Sequence, residues 1–329
     1  MLLTGLLPAV HSQTEPKDSP APTYRITGLP LRPLAISNSD WVAGTTYDQH
    51  AATWNSKAGL KRISLPPEFS FSECIGINTR GEAVGTASTA DSSRRVAFLL
   101  RQDKVVLLPG GQARANGINE NGVAVGQAIP LDAKAAEPVL WKDGSLVDLK
   151  ICCAGLARSI NGEGQIVGDT YDKEGRYHVF IWDAIHGTQF PTVPDEQFST
   201  ALAINSRGEI LLRATPGGLF VYAGGKLHPI DVPKGAPRAM NKDGVVVGSF
   251  GPNPDAQRAF VWDNAKGLRD LNTLIPAESG WKLEVATSIN DRGEIVGWGD
   301  HGGADNVGFL LRLPATGNKF RPHPARTSH

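Results

Sequence analysis

Oxygen-bearing side chains followed by Gly recur along the chain, and this spacing makes a calcium loop the first chemistry to consider. Asn119-Glu120-Asn121-Gly122 and Asn241-Lys242-Asp243-Gly244 are two examples. A calcium loop needs alternating oxygen ligands that continue beyond the Gly and close on an acidic residue. Here Val123 and Val245 follow the Gly directly. The pattern therefore indicates a tight turn, which Asn caps with its side chain and in which Gly adopts a positive φ.

The cysteines are Cys74, Cys152 and Cys153, too few for a disulfide framework. Adjacent Cys152 and Cys153 are compatible with a strained bridge or a soft metal ion, but no His or further Cys lies at ligand spacing. Cys74 stands where four of the repeat units described below have Ala, which favours a small buried side chain. We therefore predict no metal site and no cofactor.

The turn belongs to a nine-residue sequence motif, called the phrase below, that occurs seven times along the chain. Its clearest copies run from Ile289 to Gly297 and from Ile77 to Gly85, and the first copy, from Ile36 to Gly44, is degraded. The other four copies contain Asn119, Asn161, Asn205 and Asn241. Successive copies begin roughly 36 to 49 residues apart, a period typical of solenoids, propellers and arrays.

Each phrase is followed by a second hairpin whose rising strand carries aromatic residues, as in His178 to Trp182 and Arg258 to Trp262. Four short strands per unit, rich in β-branched and aromatic residues, predict a propeller blade. The seventh unit has three strands, and Tyr24 to Leu29 supplies an extra strand before the first unit. We therefore predict an all-β, seven-bladed β-propeller with four antiparallel strands per blade. The N-terminal strand would close the ring by joining the last blade, which removes an exposed sheet edge.

The pairing of Ile-Asn-x-x-Gly-x-x-Val-Gly with His-Ala-Phe-like strands that end in Trp resembles the HAF-repeat family of extracellular bacterial proteins. The resemblance extends from Tyr24 to Pro314; it implies export and a repeat fold, and it supplies no catalytic residues. Asp40 in the first unit and Leu212 in the fifth replace a Gly of the pattern. WD-repeat propellers are similar because Trp182-Asp183 ends the same strand, but the Gly-His partner of that motif is absent from the sequence.

The predicted ring has two unlike faces. The Asn-x-x-Gly turns share one face with the turns between third and fourth strands, and the opposite face carries loops of variable length. Binding residues concentrate on loops that a rigid scaffold positions, so we predict a binding site on this loop-rich face. The most variable loops are Gln127 to Glu137, Asp169 to Tyr177, Ser249 to Gln257, and Gly299 to Asn306.

Polar residues on the inner strands are the candidate ligand contacts. Three residues before the Asn, three units have an aliphatic residue, and the other four have Asn116, Arg158, Arg238 and Thr287. We hypothesise that Arg158 and Arg238 present their guanidinium groups to a carboxylate or hydroxyl-bearing ligand. The alternative is that both arginines pair with carboxylates between blades or with channel water.

Aromatic residues supply the remaining candidates. Trp298 and His301 flank the last variable loop and are predicted ligand contacts. A larger aromatic set recurs at one blade position, which favours packing between blades over stacking against sugars. That set is Trp54, Trp141, Trp182, Tyr222 and Trp262.

Composition and the chain ends bear on compartment and partners. The 329 residues have a formal net charge of zero, which argues against a nucleic-acid or anionic-membrane partner held by bulk electrostatics. No apolar stretch approaches the roughly 18 residues that span a bilayer. We predict a signal-like leader and linker over residues 1–22, the propeller over residues 23–314 and a disordered tail over residues 315–329. We expect a secreted or periplasmic monomer, or a cytoplasmic protein if the leader is not a signal.

The sequence contains no Gly-x-Ser-x-Gly elbow, phosphate loop or His-Glu-x-x-His motif. Our first functional hypothesis is a non-catalytic extracytoplasmic propeller that binds a glycan or another protein through its loop-rich face. The alternatives are a propeller hydrolase or lyase that acts on polysaccharide and an intracellular protein-interaction scaffold. An enzyme stays possible because propeller active sites draw residues from separate blades and leave no linear motif.

Overall fold

Seven four-stranded antiparallel sheets make up the protein, as seen in a computed structural model that describes residues 24–129, 135–151, 153–192, 198–215, 218–253 and 256–314. The sheets follow one another around a ring, and each innermost strand contacts the innermost strands of both neighbouring sheets. The predicted seven-bladed β-propeller is confirmed. The predicted leader, the whole of the predicted tail and Cys152 lie outside the described residues.

Each blade is built from consecutive strands, the first of which lies nearest the axis. Blade 1 comprises β2 Arg32–Ile36, β3 Val42–Thr45, β4 Ala51–Asn55 and β5 Gly59–Arg62. Blade 2 comprises β6 Phe71–Ile77, β7 Ala83–Ser88, β8 Arg95–Arg101 and β9 Lys104–Leu107. Blade 3 comprises β10 Gln112–Ile118, β11 Ala124–Ile129, β12 Glu137–Lys142 and β13 Ser145–Asp148.

The second half of the ring repeats this order. Blade 4 comprises β14 Gly155–Ile160, β15 Ile166–Tyr171, β16 Tyr177–Asp183 and β17 Gly187–Gln189. Blade 5 comprises β18 Phe198–Ile204, β19 Ile210–Thr215, β20 Gly218–Ala223 and β21 Lys226–Ile230. Blade 6 comprises β22 Gly235–Met240, β23 Val246–Phe250, β24 Arg258–Asp263 and β25 Gly267–Asp270. Two short 3-10 turns, Leu271–Leu274 and Ala277–Ser279, lead into blade 7.

Blade 7 joins the two ends of the chain. It comprises β26 Trp281–Ile289, β27 Ile295–His301 and β28 Ala304–Arg312, and its outermost strand is β1, Arg25–Leu29. β1 pairs antiparallel with β28 along its whole length, from Arg25 opposite Arg312 to Leu29 opposite Gly308. The predicted closure of the ring is confirmed, and β28 has a hydrogen-bonded neighbour on both sides.

The repeated turn has the predicted geometry. Its six Gly residues have φ between 73° and 81°, and Asp40, which replaces Gly in blade 1, has a φ of 66°. In six blades the Asn Oδ1 accepts the backbone N–H groups two and four residues further on. The Asn side chain therefore fixes the turn from inside.

The same Asn side chains also join the blades. The Nδ2 group of each Asn donates to the backbone carbonyl of the equivalent residue in the next blade. Asn78 Nδ2 lies 3.1 Å from the carbonyl oxygen of Asn119, and Asn290 Nδ2 lies 3.0 Å from that of Ser37. Four equivalent bonds of 3.1 to 3.2 Å lie between these two. Six side chains thus form a chain of hydrogen bonds around the short-turn face of the ring.

Every innermost strand contains a β-bulge at the same place, where its pairing with the second strand shifts by one residue. The extra residues are Leu34, Ile75, Asn116, Arg158, Leu202, Arg238 and Thr287. A bulge leaves its extra residue outside the ladder and re-aims the side chain. The position that the sequence singles out for polar residues is therefore the bulge position.

Apolar side chains from neighbouring blades form the core. The recurring aromatic residues Trp54, Trp141, Trp182, Tyr222 and Trp262 all pack in these clusters. Trp141 is 1% exposed, and its Nε1 donates to the carbonyl oxygen of Pro109 at 2.8 Å. The prediction that this aromatic position serves packing is confirmed. Among the described residues, no helix is long and apolar enough to cross a bilayer.

Candidate functional site

Two of the predicted site residues are used to join blades. Asn116 Nδ2 donates to the carbonyl oxygen of Ala157 at 2.8 Å, in the next blade. Thr287 is 8% exposed, and its hydroxyl lies 2.9 Å from the carbonyl oxygen of Pro33 in blade 1. Both acceptors immediately precede a bulge, so these side chains support the bulge of the neighbouring blade.

Arg158 forms an ion pair with a fully buried carboxylate. Its Nε lies 2.5 Å from Asp169 Oδ2, and Asp169 is 0% exposed. The other oxygen of Asp169 accepts the backbone N–H of Ala201 at 2.8 Å, so the carboxylate connects blade 4 to blade 5. Burial raises the pKa of Asp169 to about 6, although the Arg158 charge acts in the opposite direction. The pairing alternative for Arg158 is therefore the one observed.

Arg238 differs from Arg158. Its side chain makes no hydrogen bond or ion pair with the other described residues, and partial desolvation lowers its pKa from the ordinary value. The two arginines of the ligand hypothesis thus lie at equivalent bulges of blades 4 and 6 but have different surroundings.

The structure corrects the last variable loop. Residues predicted as a loop, Gly299 to Asn306, mostly extend β27 and β28, and only Gly302 and Gly303 form the turn. Both glycines have positive φ, 60° and 86°, as a two-residue type I′ hairpin requires. The prediction of a loop from Gly299 to Asn306 was wrong, because the Gly302-Gly303 pair forms a tight hairpin that lets both strands continue.

Trp298 and His301 both lie on this hairpin, but their side chains contact different residues. Trp298 packs under the guanidinium of Arg32 in blade 1, which lies 5.2 Å from the centre of the Trp298 rings. His301 stacks on Trp281, with 4.4 Å between ring centres and 20° between planes. The two predicted contacts are therefore not brought together in one site.

A cavity of about 580 Å³ opens on the loop-rich face, over blades 1 and 2 and the adjoining parts of blades 3 and 7. We call it the mouth pocket and define it by Arg32, Tyr47, Phe71, Glu73, Arg95 and Arg114, with Trp298 at its blade 7 side. These residues come from the starts of innermost strands, the start of β8 and the loop after β3. The predicted face carries a pocket, but none of its described lining residues belongs to the four most variable loops.

Positive charge predominates in the mouth pocket. Three arginines face one acidic residue, Glu73, among the lining residues. Arg114 Nη2 lies 3.1 Å from Glu73 Oε1, whereas the Arg95 side chain makes no ion pair or hydrogen bond with a described residue. In the adjoining loops, Asp48 pairs with Arg62 and Glu68 lies 3.4 Å from Arg94. Asp91, in the loop before Arg95, accepts hydrogen bonds from Thr89 and Ser93.

Sequence reasoning missed this group, although a signal was present. Two residues before the bulge, blades 1 to 3 have Arg32, Glu73 and Arg114. At the same position blades 4 to 7 have Leu156, Thr200, Ala236 and Val285. A charged residue in three consecutive blades and none in the other four marks one sector of the ring.

A second cavity, of about 840 Å³, lies between blades 6 and 7. Phe250 and Trp281 line it together with the Arg258–Asp270 ion pair, whose atoms are 3.2 Å apart. Residues 254–255 lie outside the described chain. Cys74 is buried, and burial raises the pKa of its thiol. Within the described ranges, no group of three or more His, Cys, Asp or Glu residues is placed to hold a metal ion.

Solved structures with the same architecture are numerous. The WD40 β-propeller domain of Doa1 matches with a TM-score of 0.57 and 13% identity, over 89% of this chain and 97% of that one. The β-propeller domain of the Trilobed protease from Pyrococcus furiosus matches with a TM-score of 0.58 and 12% identity, over 88% and 97%. The fold is that of a β-propeller.

A streptogramin B lyase structure also matches, with a TM-score of 0.53 and 11% identity, over 89% of this chain and 98% of that one. The sequence matches no family model and no curated protein. At these identities the similarities show the fold alone. A WD40 domain, a protease domain and a lyase share it, so the fold does not select between binding and catalysis.

Proposed function

We propose that this protein is a non-catalytic, extracytoplasmic β-propeller that binds a glycan in the mouth pocket. The observation that carries the proposal is that Tyr47 is exposed and yet held in place by hydrogen bonds. Tyr47 is 54% exposed. Its hydroxyl donates to the carbonyl oxygen of Leu29 at 3.1 Å and accepts the N–H of Gly308 at 3.2 Å. An aromatic ring held in this way offers a flat apolar face and loses little conformational freedom when a sugar ring stacks on it.

The shape of the mouth pocket supports a glycan over a flat protein surface. Its volume of about 580 Å³ lies within the range of small-molecule sites. Phe71, 40% exposed, offers a second apolar surface, and the surrounding arginines offer hydrogen-bond donors for sugar hydroxyl groups. Aromatic faces combined with several hydrogen-bond donors suit a sugar ring and its hydroxyl groups.

The charged contacts in the pocket favour binding over hydrolysis. Glu73, the acidic residue of the described lining, is engaged by Arg114. Glycoside hydrolysis generally uses two carboxyl groups that flank the scissile bond. A polysaccharide hydrolase or lyase and an intracellular scaffold stay alternative predictions.

Export is the other part of the proposal. It is supported by the resemblance to HAF-repeat proteins and by the apolar residues near Met1. N-terminal sequencing of the protein recovered from culture fractions tests it. A cytoplasmic protein that retains Met1 would contradict export and favour the scaffold.

A glycan array tests the binding function directly. We expect binding to a subset of glycans, and we expect Tyr47→Ala to weaken it roughly 2- to 13-fold, since stacking contributes about 0.5–1.5 kcal/mol. Phe190→Ala is the matched control, because Phe190 is 53% exposed but lies in blade 4, away from the pocket. Unchanged binding by a folded Tyr47→Ala variant, or no binding to any glycan, would overturn the proposal.

A further inference from the structure

The mouth pocket contains more positive charge than its own contacts neutralise. Glu73 pairs with Arg114, and Arg32 lies over the rings of Trp298. The Arg95 guanidinium makes no polar contact with a described residue, although the Arg95 backbone N–H donates to Gln112 Oε1 at 2.8 Å. Uncompensated charge in a concave site attracts ions of the opposite sign and raises their local concentration. Arginine is also the side chain best suited to oxyanions, because its planar group donates two parallel hydrogen bonds.

Two polar atoms in the pocket wall lack hydrogen-bond partners among the described residues. Thr86 is 6% exposed and its Oγ1 has no partner, and the same holds for Nε of Arg114. Both atoms are shielded from solvent, and a buried polar group is normally satisfied by protein, water or an ion. The Glu73–Arg114 contact therefore leaves the hydrogen bonding of this wall incomplete.

Apolar and charged side chains line the same cavity. Tyr47 and Phe71 provide the exposed aromatic surface, and Arg95 and Arg114 line the same cavity. A ligand that combines a sugar ring with an anionic group would use both parts. A neutral glycan would leave Arg95 without an acceptor of opposite charge.

We propose that the mouth pocket is specific for an acidic glycan, whose ring-borne oxyanion, a carboxylate or a sulfate, is bound by Arg95 and Arg114. This inference rests on the proposed glycan-binding function and adds the class of ligand. The sugar ring stacks on Tyr47 while the anion takes hydrogen bonds from the two guanidinium groups. Arg114 reorients its guanidinium group, so that some of its N–H groups donate to the ligand and not to Glu73. The ligand then provides the acceptor that Arg114 Nε lacks among the described residues.

The test is titration calorimetry of the full chain with four ligands of equal length. The ligands are an oligogalacturonate, its methyl ester, a sulfated neutral oligosaccharide and the same oligosaccharide without sulfate. We expect one of the two anionic ligands to bind at least about tenfold more tightly than its uncharged counterpart. A hydrogen bond to a charged group stabilises a complex enough to change the dissociation constant by about this factor. The stronger of the two anions identifies the oxyanion. Affinity for it should fall as NaCl rises.

Variants locate the contact. Arg95→Ala should reduce the preference for the anionic ligand over its uncharged counterpart to near unity, and Arg95→Lys should restore part of it, because lysine retains the charge without the planar fork. Arg207→Ala is the control; Arg207 lies on the opposite, short-turn face, 3.2 Å from Asp243. Unfolding midpoints of all variants confirm that they fold.

Equal affinity for charged and uncharged ligands, with binding still dependent on Tyr47, would overturn the acidic specificity and leave the glycan-binding function intact. A charge preference that survives Arg95→Ala would place the anion elsewhere and overturn the inference as well. Failure of all four ligands, together with a negative glycan array, would overturn both proposals.

Discussion

The Asn residues of the repeated phrase each perform two tasks with one side chain. The Oδ1 atom fixes the local turn, and Nδ2 donates to the next blade at 3.0 to 3.2 Å. Ser37 is the exception in blade 1. Its hydroxyl accepts the N–H groups of Ser39 and Trp41, but it has no amide to reach blade 2. The hydroxyl of Ser39 donates to the carbonyl oxygen of Thr79 instead, at 2.6 Å.

Ser37→Asn should therefore stabilise the protein. The new amide can donate to the carbonyl oxygen of Asn78 and complete the seventh bond of the ring, and one such hydrogen bond contributes about 1 kcal/mol net. Denaturant unfolding measures the change. Asn119→Asp is the matched opposite variant, because it keeps the turn acceptor and removes the donor to Asn161; it should lower the free energy of unfolding. A Ser37→Asn variant less stable than the parent would show that the ring bond does not form.

Asp169 is a second residue whose contacts cross blades, and its buried position makes stability depend on pH. Its pKa is about 6 in the folded protein, compared with about 4 in an unfolded chain. Between these values the folded protein holds a proton that the unfolded chain has lost. The contribution of Asp169 to the free energy of unfolding is therefore fully present below about pH 4 and is lost as pH rises through about 6.

Comparison with Asp169→Asn isolates this effect, because Asn does not titrate. We expect the stability of the parent relative to the variant to fall by up to about 3 kcal/mol between about pH 4 and pH 7, following the pKa difference. Denaturant unfolding at closely spaced pH values gives the curve. A relative stability that rises with pH in this window would mean that the Arg158 ion pair outweighs burial.

At the scale of elements, closure depends on a five-residue strand that is distant in sequence from its partner. β1 adds the fourth strand to blade 7, and Leu29 at its end is 4% exposed. Leu29 packs in a cluster with Leu31, Val42, Val296 and Leu310, so it holds blade 7 against blade 1. Hydrogen bonding and apolar packing therefore act at the same junction.

Leu29→Ala should open this junction. Removal of a buried Leu side chain costs about 2–5 kcal/mol, and we expect a loss in this range. Thr27→Ala is the control on the same strand; Thr27 is exposed, so the change should stay within about 0.5 kcal/mol. Denaturant unfolding compares the two variants, and hydrogen exchange of β28 amides shows where the loss occurs. Equal, small effects would mean that β1 contributes little to closure.

At the scale of the molecule, the ring converts local repeats into one shared pocket. The mouth pocket draws on blades 1, 2, 3 and 7, and the last of these is adjacent to the first only because the ring closes. Arg32 lies over Trp298, and Tyr47 reaches Leu29 and Gly308. Closure therefore both removes a sheet edge and assembles the candidate site.

The two faces of the ring differ in how their charges are used. On the short-turn face, charged side chains pair across neighbouring blades, as Arg207 does with Asp243 and Arg292 with Asp40. On the loop-rich face, Arg95 and Arg238 have no such partner among the described residues. An exception on the loop-rich face lies in the mouth pocket, where Arg114 pairs with Glu73 of the neighbouring blade.

The sequence by itself determined the features that short windows encode. The period of the repeated phrase predicted seven blades, the Asn-x-x-Gly spacing predicted turns with positive φ, and Tyr24 to Leu29 predicted closure. Each depends on residues a few positions apart or on a count of strands. Such features can be predicted without knowing which residues face each other across the ring.

Only the tertiary structure decided which side chains meet. The position three residues before Asn was correctly singled out, but the sequence could not show that Arg158 has Asp169 as a partner while Arg238 has none in the described part of the chain. It placed Trp298 with His301, whereas Trp298 packs on Arg32. The physical reason is that ion pairs and pockets depend on the orientation of blades around an axis. Residues that are far apart in the chain come together near this axis, and no short stretch of sequence shows which of them will meet.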